Sequence, residues 1–432
     1  MIWRHVYSLL LILLLPLVLA GFAWRGLREP GYRRGWGQRL EFGRPAATGG
    51  IWVHAASVGE VQVAAGLVRG LAERHPELPR LVTTFTPSGC DRARQVLGDI
   101  AEVRLLPFDL PGAMRRFVVR HQPRLVIVVE TELWPNMLAA CRANGVPVML
   151  ANARLSDRSV RRYRRWPLRT LMAETVTAID RVAAARETDA GRFAELGVPV
   201  ERIHTTGNLK FDLPLPDDVL ARGQALRKRW QAEARPVWVA ASTHAGEEAL
   251  VLEAHAILRQ SLSDSLLILV PRHAPRFEAV AELVQERSLS YARHSRGEAV
   301  HPDTAVVLGD TLGELPHFYA AADLAFVGGS LVSGVGGHNL LEPAALRLPM
   351  MTGLHLGAWQ TVADWLIEAG ALCSVTDAAS LAAAAAEALA DPAGRRQAGL
   401  AAERVVEDHR GALARTLREV PELLTQITEN PP

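Results

Sequence analysis

Two acidic segments follow apolar runs that are typical of buried strands. In VHAASVGEV (53–61), a strand leads through small residues into a helical pattern, and Glu60 lies in the turn. The backbone N–H groups of such a turn suit an anion, yet a carboxylate there would repel a phosphate, so the pattern leaves the ligand open. In ETELWPN (130–136), Glu130 comes directly after the run LVIVV (125–129). Burial would raise the pKa of this carboxyl group unless a partner stabilises its charge, and the alternative is a helix-capping carboxylate.

Basic and amide side chains follow other apolar runs. Lys210 lies between apolar residues in GNLKFD, where it is either solvated or neutralises an anionic substrate. Arg272 ends the run LLILVP and either forks onto a phosphate or carboxylate or makes a surface ion pair. In GGHNLLEP, a helix over 338–347 would offer amides to a phosphate, and Glu342 would reach a ribose diol. Four glycine-bearing turns in this half favour a nucleotide site over turns that only reverse the chain.

A dense basic run begins after residue 153, with Tyr163 and Trp166 interleaved. Its arginines are Arg154, Arg158, Arg161, Arg162, Arg164, Arg165 and Arg169. The run is either a solvated helix face or a surface for anionic headgroups or a phosphorylated lipid, and RNA binding is a weaker alternative.

Short apolar runs alternate with helical patterns and would position all of these residues. The first series lies at 51–54, 81–84, 103–106, 125–129, 147–150, 181–185 and 203–206, and the second at 237–243, 266–271, 305–310, 324–329 and 348–353. Unbroken apolar runs are typical of parallel strands covered on both faces. The proline-rich stretch that starts at 213 separates the two series. The sequence therefore predicts two Rossmann-like α/β domains, at 26–220 and 221–432, facing a ligand cleft.

The composition excludes some classes of protein. The chain has 432 residues with a formal net charge of +2, which argues against a dedicated nucleic-acid binder. Its three cysteines, Cys90, Cys141 and Cys373, are far apart and show no zinc-binding spacing, so we expect reduced thiols in a cytosolic compartment.

The amino terminus is strongly apolar. Residues 6–24 carry no charge and are just long enough to span the hydrocarbon of a bilayer. Only Arg4 precedes the segment, whereas several arginines follow it from Arg25 onwards. Because positive residues stay in the cytoplasm, we expect residues 1–25 to form an uncleaved single-pass anchor with the rest of the chain cytoplasmic. The alternative is a signal peptide cleaved after Ala20.

Taken together, the motifs resemble one family along nearly the whole chain. They are HAASVGEV, ETELWPN, NARLSDRS, GNLKFD, ASTHAGEE, PRH, GDTLGEL and GGHNLLEP, in this order. They are similar to the bacterial 3-deoxy-D-manno-octulosonic acid (Kdo) transferases of lipopolysaccharide synthesis. The resemblance implies the two-domain GT-B glycosyltransferase fold and transfer of Kdo from CMP-Kdo to the lipid A precursor lipid IVA, with inversion and without a catalytic metal or other cofactor.

The same resemblance implies a role for each candidate residue. By position, Glu60 is the general base that takes the proton of the acceptor hydroxyl, and the helix N-terminus would help to keep it ionised. Glu130 and Lys210 would stabilise the oxocarbenium-like transition state and the departing CMP. The residues that match the CMP-binding segments are Pro271, Arg272, Leu312, Gly313, Glu314, Asn339, Leu340, Leu341 and Glu342. The loop at 292–298 departs from the family pattern, with alanine and histidine where more arginine is expected.

The resemblance also implies the partners: CMP-Kdo, lipid IVA and the cytoplasmic membrane, but no nucleic acid. The first domain would receive the lipid acceptor, with the basic run at its phosphates. The rival hypotheses are another membrane-associated GT-B glycosyltransferase, a sugar-nucleotide epimerase of the same fold, and a membrane-tethered nucleotide-binding scaffold without turnover. An epimerase would need neither an anchor nor the basic run, and a scaffold would need no carboxylate in the acceptor loop.

Overall fold

The computed structural model describes residues 2–42 and 48–429 of the chain. It divides into two compact units: unit 1 comprises 1–213 and 409–432, and unit 2 comprises 214–408. Each unit is built on a seven-stranded sheet in which every described strand pair is parallel. The two doubly wound α/β domains that the alternating pattern predicts are therefore confirmed.

The sheet of unit 1 has the strand order β3-β2-β1-β4-β5-β6-β7. Its strands are β1 (Ile51–His54), β2 (Arg80–Thr84), β3 (Glu102–Leu105), β4 (Leu125–Val129), β5 (Val148–Ala153), β6 (Arg181–Ala184) and β7 (Ile203–Thr205). The chain winds outwards from β1 in one direction and from β4 in the other. The loops after β1 and β4 therefore diverge and leave a crevice at the carboxyl ends of these strands.

Helices cover both faces of this sheet. They are α1 (Ile2–Arg28), α2 (Trp36–Arg39), α3 (Val58–Arg74), α4 (Pro87–Leu97), α5 (Pro111–His121), α6 (Pro135–Ala143), α7 (Asp157–Tyr163), α8 (Leu168–Val176) and α9 (Glu187–Glu195), with 3-10 turns at Pro30–Arg33, Val200–Arg202 and Leu209–Asp212. Successive residues of a strand point to opposite faces. Accordingly, Trp52 packs in a core with Phe117 of α5, whereas Val53 packs in a second core with Leu67 of α3.

The sheet of unit 2 has the strand order β10-β11-β9-β8-β12-β13-β14. Its strands are β8 (Val237–Thr243), β9 (Leu266–Pro271), β10 (Tyr291–Arg293), β11 (Val306–Leu308), β12 (Leu324–Val327), β13 (Met350–Thr352) and β14 (Leu372–Ser374). Here the winding reverses between β8 and β12, so the crevice lies at the carboxyl ends of these two strands.

The helices of unit 2 and the carboxyl-terminal helices follow. They are α10 (Val219–Arg229), α11 (Glu247–Ser261), α12 (Phe277–Glu286), α13 (Leu315–Ala320), α14 (Leu341–Ala345), α15 (Gln360–Glu368), α16 (Ala378–Ala390), α17 (Pro392–Asp408), α18 (Ala412–Arg418) and α19 (Val420–Glu429), with 3-10 turns at Ala274–Arg276 and Gly357–Trp359. The sequence pattern missed strands β10 and β14. Both are edge strands, and their residues (Tyr291–Arg293 and Leu372–Ser374) mix polar with apolar side chains, so they form no unbroken apolar run.

The last two helices pack on unit 1, although the sequence analysis assigned all residues after 220 to the second domain. Leu417 of α18 is buried in the same core as α3. Gly70 of α3 permits this approach, because a Cβ atom there would lie 2.5 Å from Leu417 Cδ1. The carboxylate of Asp212 also accepts hydrogen bonds from the N–H groups of Gly411 and Leu413, at 2.7 and 2.6 Å. The apolar face of these helices thus completes the core of unit 1 that contains α3, and not a core of unit 2.

Helix α1 is the one helix in the described part of the chain that is long and apolar enough to cross a membrane. One of its faces contacts the rest of unit 1 near both ends of the helix. Near its start, the Tyr7 hydroxyl donates to Asp109 at 3.1 Å. Near its end, Phe22 packs edge-on against Tyr32 and Phe108, with ring centroids 5.3 and 5.5 Å apart. The opposite face exposes apolar side chains, among them Leu9, Leu10, Ile12, Leu13 and Leu17. The helix is therefore compatible with a membrane anchor.

Candidate active site

Glu60 lies in the first turn of α3, at the carboxyl end of β1. Ser57 caps this helix, and its hydroxyl oxygen accepts a long hydrogen bond (3.4 Å) from the Glu60 N–H. In return, the Ser57 hydroxyl donates to Glu60 Oε1 and the Ala56 N–H donates to Oε2, both at 2.8 Å. Ser-x-x-Glu is the sequence pattern of a capping box, although here the glutamate accepts the N–H of Ala56, one residue before the N-cap Ser57. Residues close in sequence therefore fold the carboxylate back over the turn. The side chain is thereby held at the crevice of the unit 1 sheet.

The protonation of Glu60 is balanced near neutrality. Burial raises the pKa of this carboxyl group to about 7, although the hydrogen bonds from Ala56 and Ser57 lower it; the nearby charges of Glu132 and Glu130 raise it further. The sequence analysis expected the helix N-terminus to keep Glu60 ionised. The donors do favour the charged form, but burial and the two like charges outweigh them. A pKa close to the working pH is the value that general base catalysis favours.

Glu130 and Lys210 form an ion pair, with 3.1 Å between Lys210 Nζ and Glu130 Oε1. Glu130 directly follows β4, so the pair lies on the same crevice as Glu60. The backbone of Glu130 has a φ of +61°, a left-handed conformation that is costly for a residue with a side chain. The tertiary structure therefore holds this carboxylate in a strained loop, which a simple helix cap would not require.

Two asparagines hold the turn that carries Lys210, and sequence reasoning did not single them out. The buried Asn152 accepts the N–H of Leu209 at 2.9 Å, and Asn208 accepts the N–H of Lys210 at 3.1 Å. Asn152 itself has a φ of +53°. The available signal was the pattern of Asn152 in β5 followed by Asn208 before the lysine, because asparagine tolerates left-handed conformations and accepts backbone hydrogen bonds.

Aromatic contacts connect α1 to the acidic loop. Phe22 of α1 contacts Phe85 edge-on, with ring centroids 6.2 Å apart, and Phe85 stacks on Trp134 at 5.4 Å. The indole N–H of Trp134 then donates to Glu132 at 2.9 Å. Burial raises the pKa of Glu132, as it does that of Glu60. The apolar helix and the carboxylates thus belong to one continuous region of unit 1.

The basic run lies on the surface of unit 1, at and after the carboxyl end of β5. Arg154 is partly buried, and Arg158, Arg161 and Arg162 on α7 are exposed. Next to them, Trp166 contacts Trp3 of α1, with ring centroids 5.2 Å apart. The structure therefore brings the basic run beside the start of the apolar helix.

Unit 2 gathers the predicted nucleotide-binding residues on the loops after β9 and β12. Asn339 accepts the Leu341 N–H at 2.9 Å and donates to Glu342 Oε1 at 3.0 Å. Burial raises the pKa of Glu342, while Asn339 and the positive charge of Arg272 lower it. Pro271 ends β9 and Arg272 is exposed just after it. Helix α14 has only five residues and its Leu341 amide already has a partner, so the expected helix over 338–347 with phosphate-binding amides is wrong in extent.

The segment at 312–314 lies before α13. Leu312 is largely exposed, and Gly313 has a φ of +84°, which explains the glycine. Glu314 occupies the N-cap position of the helix without a side-chain capping hydrogen bond, and its carboxylate lies 3.3 Å from His294 Nε2. The loop at 292–298, whose sequence departs from the family pattern, is fixed by Asp310, which forms an ion pair with Arg293 at 2.8 Å.

A fully buried carboxylate in unit 2 escaped sequence reasoning. Glu247 accepts hydrogen bonds from four backbone N–H groups, those of His244, Gly329, Ser330 and Leu331, at 2.7 to 3.0 Å. Its side chain thereby ties the loop after β8 to the glycine loop after β12. The amides of Gly329, Ser330 and Leu331 are therefore occupied by the protein's own carboxylate.

Comparison with known proteins identifies the family of the chain. Residues 34–213 match the family model described as 3-deoxy-D-manno-octulosonic-acid transferase (kdotransferase). The chain is 40% identical over 419 residues to the 3-deoxy-D-manno-octulosonic acid transferase of Haemophilus influenzae, covering 96% of this chain and 97% of that protein. The chain belongs to the Kdo transferase family. The transferase of the same name from Bordetella pertussis is also 40% identical, over 96% of this chain and 98% of that protein.

The fold likewise has solved counterparts. A glycosyltransferase from Rickettsia africae superposes with a TM-score of 0.58 at 12% identity, covering 89% of this chain and all of that one (100%). At this identity the likeness shows the fold alone, which is that of the GT-B glycosyltransferases. Family membership confirms the expectation of a Kdo transferase, a glycosyltransferase of lipopolysaccharide biosynthesis.

Proposed function

We propose that this Kdo transferase moves Kdo from CMP-Kdo to a hydroxyl group of lipid IVA, with inversion, and that Glu60 is the general base. The observation that carries the proposal is the state of Glu60. Two hydrogen bonds fix its carboxylate at the crevice of unit 1, and burial raises its pKa to about 7. A capping residue on an exposed helix would share the hydrogen bonds but not the raised pKa.

In the proposed reaction, the acceptor hydroxyl attacks the anomeric carbon of Kdo as its proton passes to Glu60. The bond from this carbon to the CMP phosphate oxygen breaks, and CMP leaves with the electron pair. A single displacement of this kind inverts the anomeric centre. Because a neutral alcohol is a poor nucleophile, the base has to act during the attack and not after it.

The ion pair of Glu130 and Lys210 would act on the charges that develop in this step. The ammonium group suits the carboxylate of the donor sugar or the departing phosphate, and Glu130 holds it at 3.1 Å. Asn152 and Asn208 fix the turn beneath the lysine. A lysine held from several sides loses little freedom when it meets the transition state.

In unit 2, Asn339 and Glu342 form a hydrogen-bonded pair suited to a ribose diol, with Arg272 beside them for the phosphate. We extend the CMP-binding role to Pro271, Leu340, Leu341 and the segment Leu312 to Glu314 on the strength of the family pattern. The loops that carry these residues follow β9, β11 and β12, at one end of the sheet.

We propose that the enzyme acts at the cytoplasmic face of the bacterial inner membrane, held there by α1. A folded domain contacts one face of this helix from Trp3 to Phe22, and a polar domain does not enter hydrocarbon. While those contacts hold, both ends of α1 lie against the cytoplasmic domain. We therefore propose that the helix lies along the membrane with its outward leucines in the lipid, in place of the single-pass span that the sequence analysis expected. Arg158, Arg161 and their neighbours would then meet the acceptor's phosphates. The test is to label an Ile2→Cys variant with a thiol reagent that does not cross membranes. Labelling only after the reagent is given access to the cytoplasmic side would support this placement of α1, and labelling from the periplasm would contradict it.

The test of the transfer reaction is an assay with CMP-Kdo and lipid IVA in detergent, read by mass spectrometry. Wild type should add Kdo masses, and Glu60→Gln should lower the rate by about a thousandfold, because general base catalysis is worth roughly 10²–10⁴. CMP binding should not change. Glu73→Gln, an exposed glutamate on the same helix, is the matched control and should leave the rate intact.

The outcomes separate the alternatives. No added mass with wild type, despite CMP binding, would point to another acceptor or donor. Full activity of Glu60→Gln would remove this residue from the base role and leave the family assignment standing. CMP binding without turnover on any Kdo acceptor would favour the membrane-tethered scaffold.

A further inference from the structure

Two histidines meet at the crevice of the unit 2 sheet. His244 follows β8 and His338 lies in the loop after β12, and their Nε2 atoms are 2.8 Å apart. The two rings are nearly coplanar, with an interplanar angle of 11°. At this separation one Nε2 carries the proton and donates it to the other, so the two imidazoles share a single hydrogen. The family pattern gave no role to either histidine.

The protein holds this contact from both sides. Glu247 accepts the backbone N–H of His244 at 3.0 Å and also those of Gly329, Ser330 and Leu331. His338 packs against Gly329, where a Cβ atom would lie 2.8 Å from the imidazole Cδ2. The histidine pair is therefore positioned by a buried network and is not a chance surface contact.

The charges around the pair are mainly positive. Burial lowers the pKa of His338 to about 4, and Arg272, His244 and His273 lower it further. Burial also lowers the pKa of His244, where Glu247 acts in the opposite direction and His273, Arg272 and Arg276 act in the same direction. Of these groups, Arg276 is paired with Glu248 at 3.0 Å, and both oxygens of Glu247 accept backbone N–H groups. An empty pair is thus neutral at physiological pH.

An anion beside Arg272 would reverse this balance. A neutral pair that shares the Nε2 hydrogen has one Nδ1 without a proton, and adding a proton there yields a cation spread over two rings. The negative charge of a phosphate favours that charged form. When CMP-Kdo becomes CMP, the phosphodiester with one charge becomes a monoester with up to two, so the demand for a counter-charge rises as the sugar leaves.

We propose that His244 and His338 form a proton-accepting pair for the phosphate of the donor nucleotide: neutral in the empty site, the pair takes one proton from solvent when CMP occupies it. This inference rests on the proposed binding of CMP-Kdo by unit 2 and names residues that would neutralise the departing phosphate. The amides of Gly329, Ser330 and Leu331 cannot bind that phosphate, because they already donate to Glu247.

The experiment is calorimetry of CMP binding to the full chain in detergent, at neutral pH, in two buffers with different ionisation enthalpies. Binding of CMP to wild type should take up about one proton, which appears as a difference in heat between the buffers. Cytidine, which lacks the phosphate, should bind without proton uptake. Absence of uptake on CMP binding to wild type would overturn the proposal, whatever the variants do.

Variants locate the proton. His338→Gln should abolish the uptake and weaken CMP binding by about tenfold, the loss expected for one charge-assisted hydrogen bond, while cytidine affinity stays constant. His244→Asn should do the same, which guards against one variant failing to fold. His273→Gln is the matched control, because this ring contacts His244 edge-on at 5.2 Å but does not share the hydrogen.

The His273→Gln control should still take up a proton when it binds CMP. Uptake that persists in both pair variants, or that is lost only in His273→Gln, would contradict the assignment. If wild type binds neither CMP nor cytidine, the donor assignment of unit 2 falls and takes this inference with it. CMP binding without uptake would instead leave the proposed function intact and remove only the histidine pair.

Discussion

Glu60 and Glu247 occupy corresponding places in the two units, yet their surroundings differ sharply. Each follows a glycine in the turn after the first strand of its sheet, in SVGE and HAGE. Glu60 is half-buried, accepts one backbone N–H and one hydroxyl, and lies near two other carboxylates. Glu247 is fully buried and accepts four backbone N–H groups.

In the proposed function, the same Gly-Glu motif supplies a general base in unit 1, whereas in unit 2 it holds two loops together. A carboxylate with four donors is satisfied, so little is gained by bringing a substrate proton to it. One with two donors and like-charged neighbours has a raised pKa and oxygen lone pairs left for a proton. The neighbouring residues also differ. Other carboxylates lie near Glu60, whereas histidines and an arginine lie near the loop that Glu247 holds. The predictions below test this contrast.

After the thousandfold loss expected for Glu60→Gln, the next largest effect should come from Lys210, the cation beside these carboxylates. Lys210→Met should lower the transfer rate by about a hundredfold, the usual loss when one group that stabilises transition-state charge is removed. It also leaves Glu130 unpaired, and because the charge of Glu130 raises the pKa of Glu60, the rate should need a higher pH. The measurement is the pH–rate profile. Lys228→Met is the matched control, since Lys210 and the exposed Lys228 are the two lysines of the chain. An unshifted profile with a hundredfold loss would separate Lys210 from the ionisation of Glu60.

The architectural role of Glu247 predicts a loss of stability. Glu247→Gln keeps the shape but turns an amide N–H₂ towards backbone donors, so the free energy of unfolding should fall by about 2 kcal/mol. Urea denaturation followed by circular dichroism measures the change. Glu253→Gln, exposed on the same helix, should leave stability unchanged, as should Glu60→Gln at low pH, where Glu60 is already protonated. A stable Glu247→Gln enzyme would erase the distinction between the two glutamates.

The raised pKa of Glu60 predicts the pH dependence of transfer. The base works only when it is ionised, and with a pKa of about 7 its ionised fraction falls as the pH drops through neutrality. The rate at saturating substrates should therefore fall about tenfold between about pH 8 and about pH 6. The residual rate of Glu60→Gln should lack this step. A wild-type rate that stays flat across neutrality would mean that Glu60 keeps its ordinary pKa in the working enzyme.

The smallest effect concerns the basic run of unit 1, which we propose faces the membrane. Arg158→Gln should weaken binding to vesicles that contain anionic lipids by about fivefold, since each basic residue near such a surface contributes roughly 1 kcal/mol. The loss should shrink as salt is added. Arg396→Gln, exposed on α17 of unit 2, is the control. Equal losses in the two variants, measured by vesicle sedimentation, would show that overall charge and not the basic run directs binding.

Much of the molecule was predictable because the signals are local. Long apolar runs such as LVIVV and VWVAAST predicted the central strands. The turn residues at their ends predicted where the crevices lie. The edge strands at Tyr291–Arg293 and Leu372–Ser374 gave no such signal. The placement of α18 and α19 on unit 1 was also invisible, because an apolar helix face shows that it will be buried but not which core it will join.

The sequence by itself determined the two parallel sheets, the apolar first helix, the family and the position of Glu60 in a capped turn, because each depends on residue types at fixed spacing along the chain. Only the tertiary structure decided that Glu60 has a pKa near neutrality and that Glu247 accepts four backbone N–H groups. It also decided that His244 contacts His338, which is 94 residues away in the sequence. These properties depend on burial and on charges brought together from distant strands, and no local pattern records such distances.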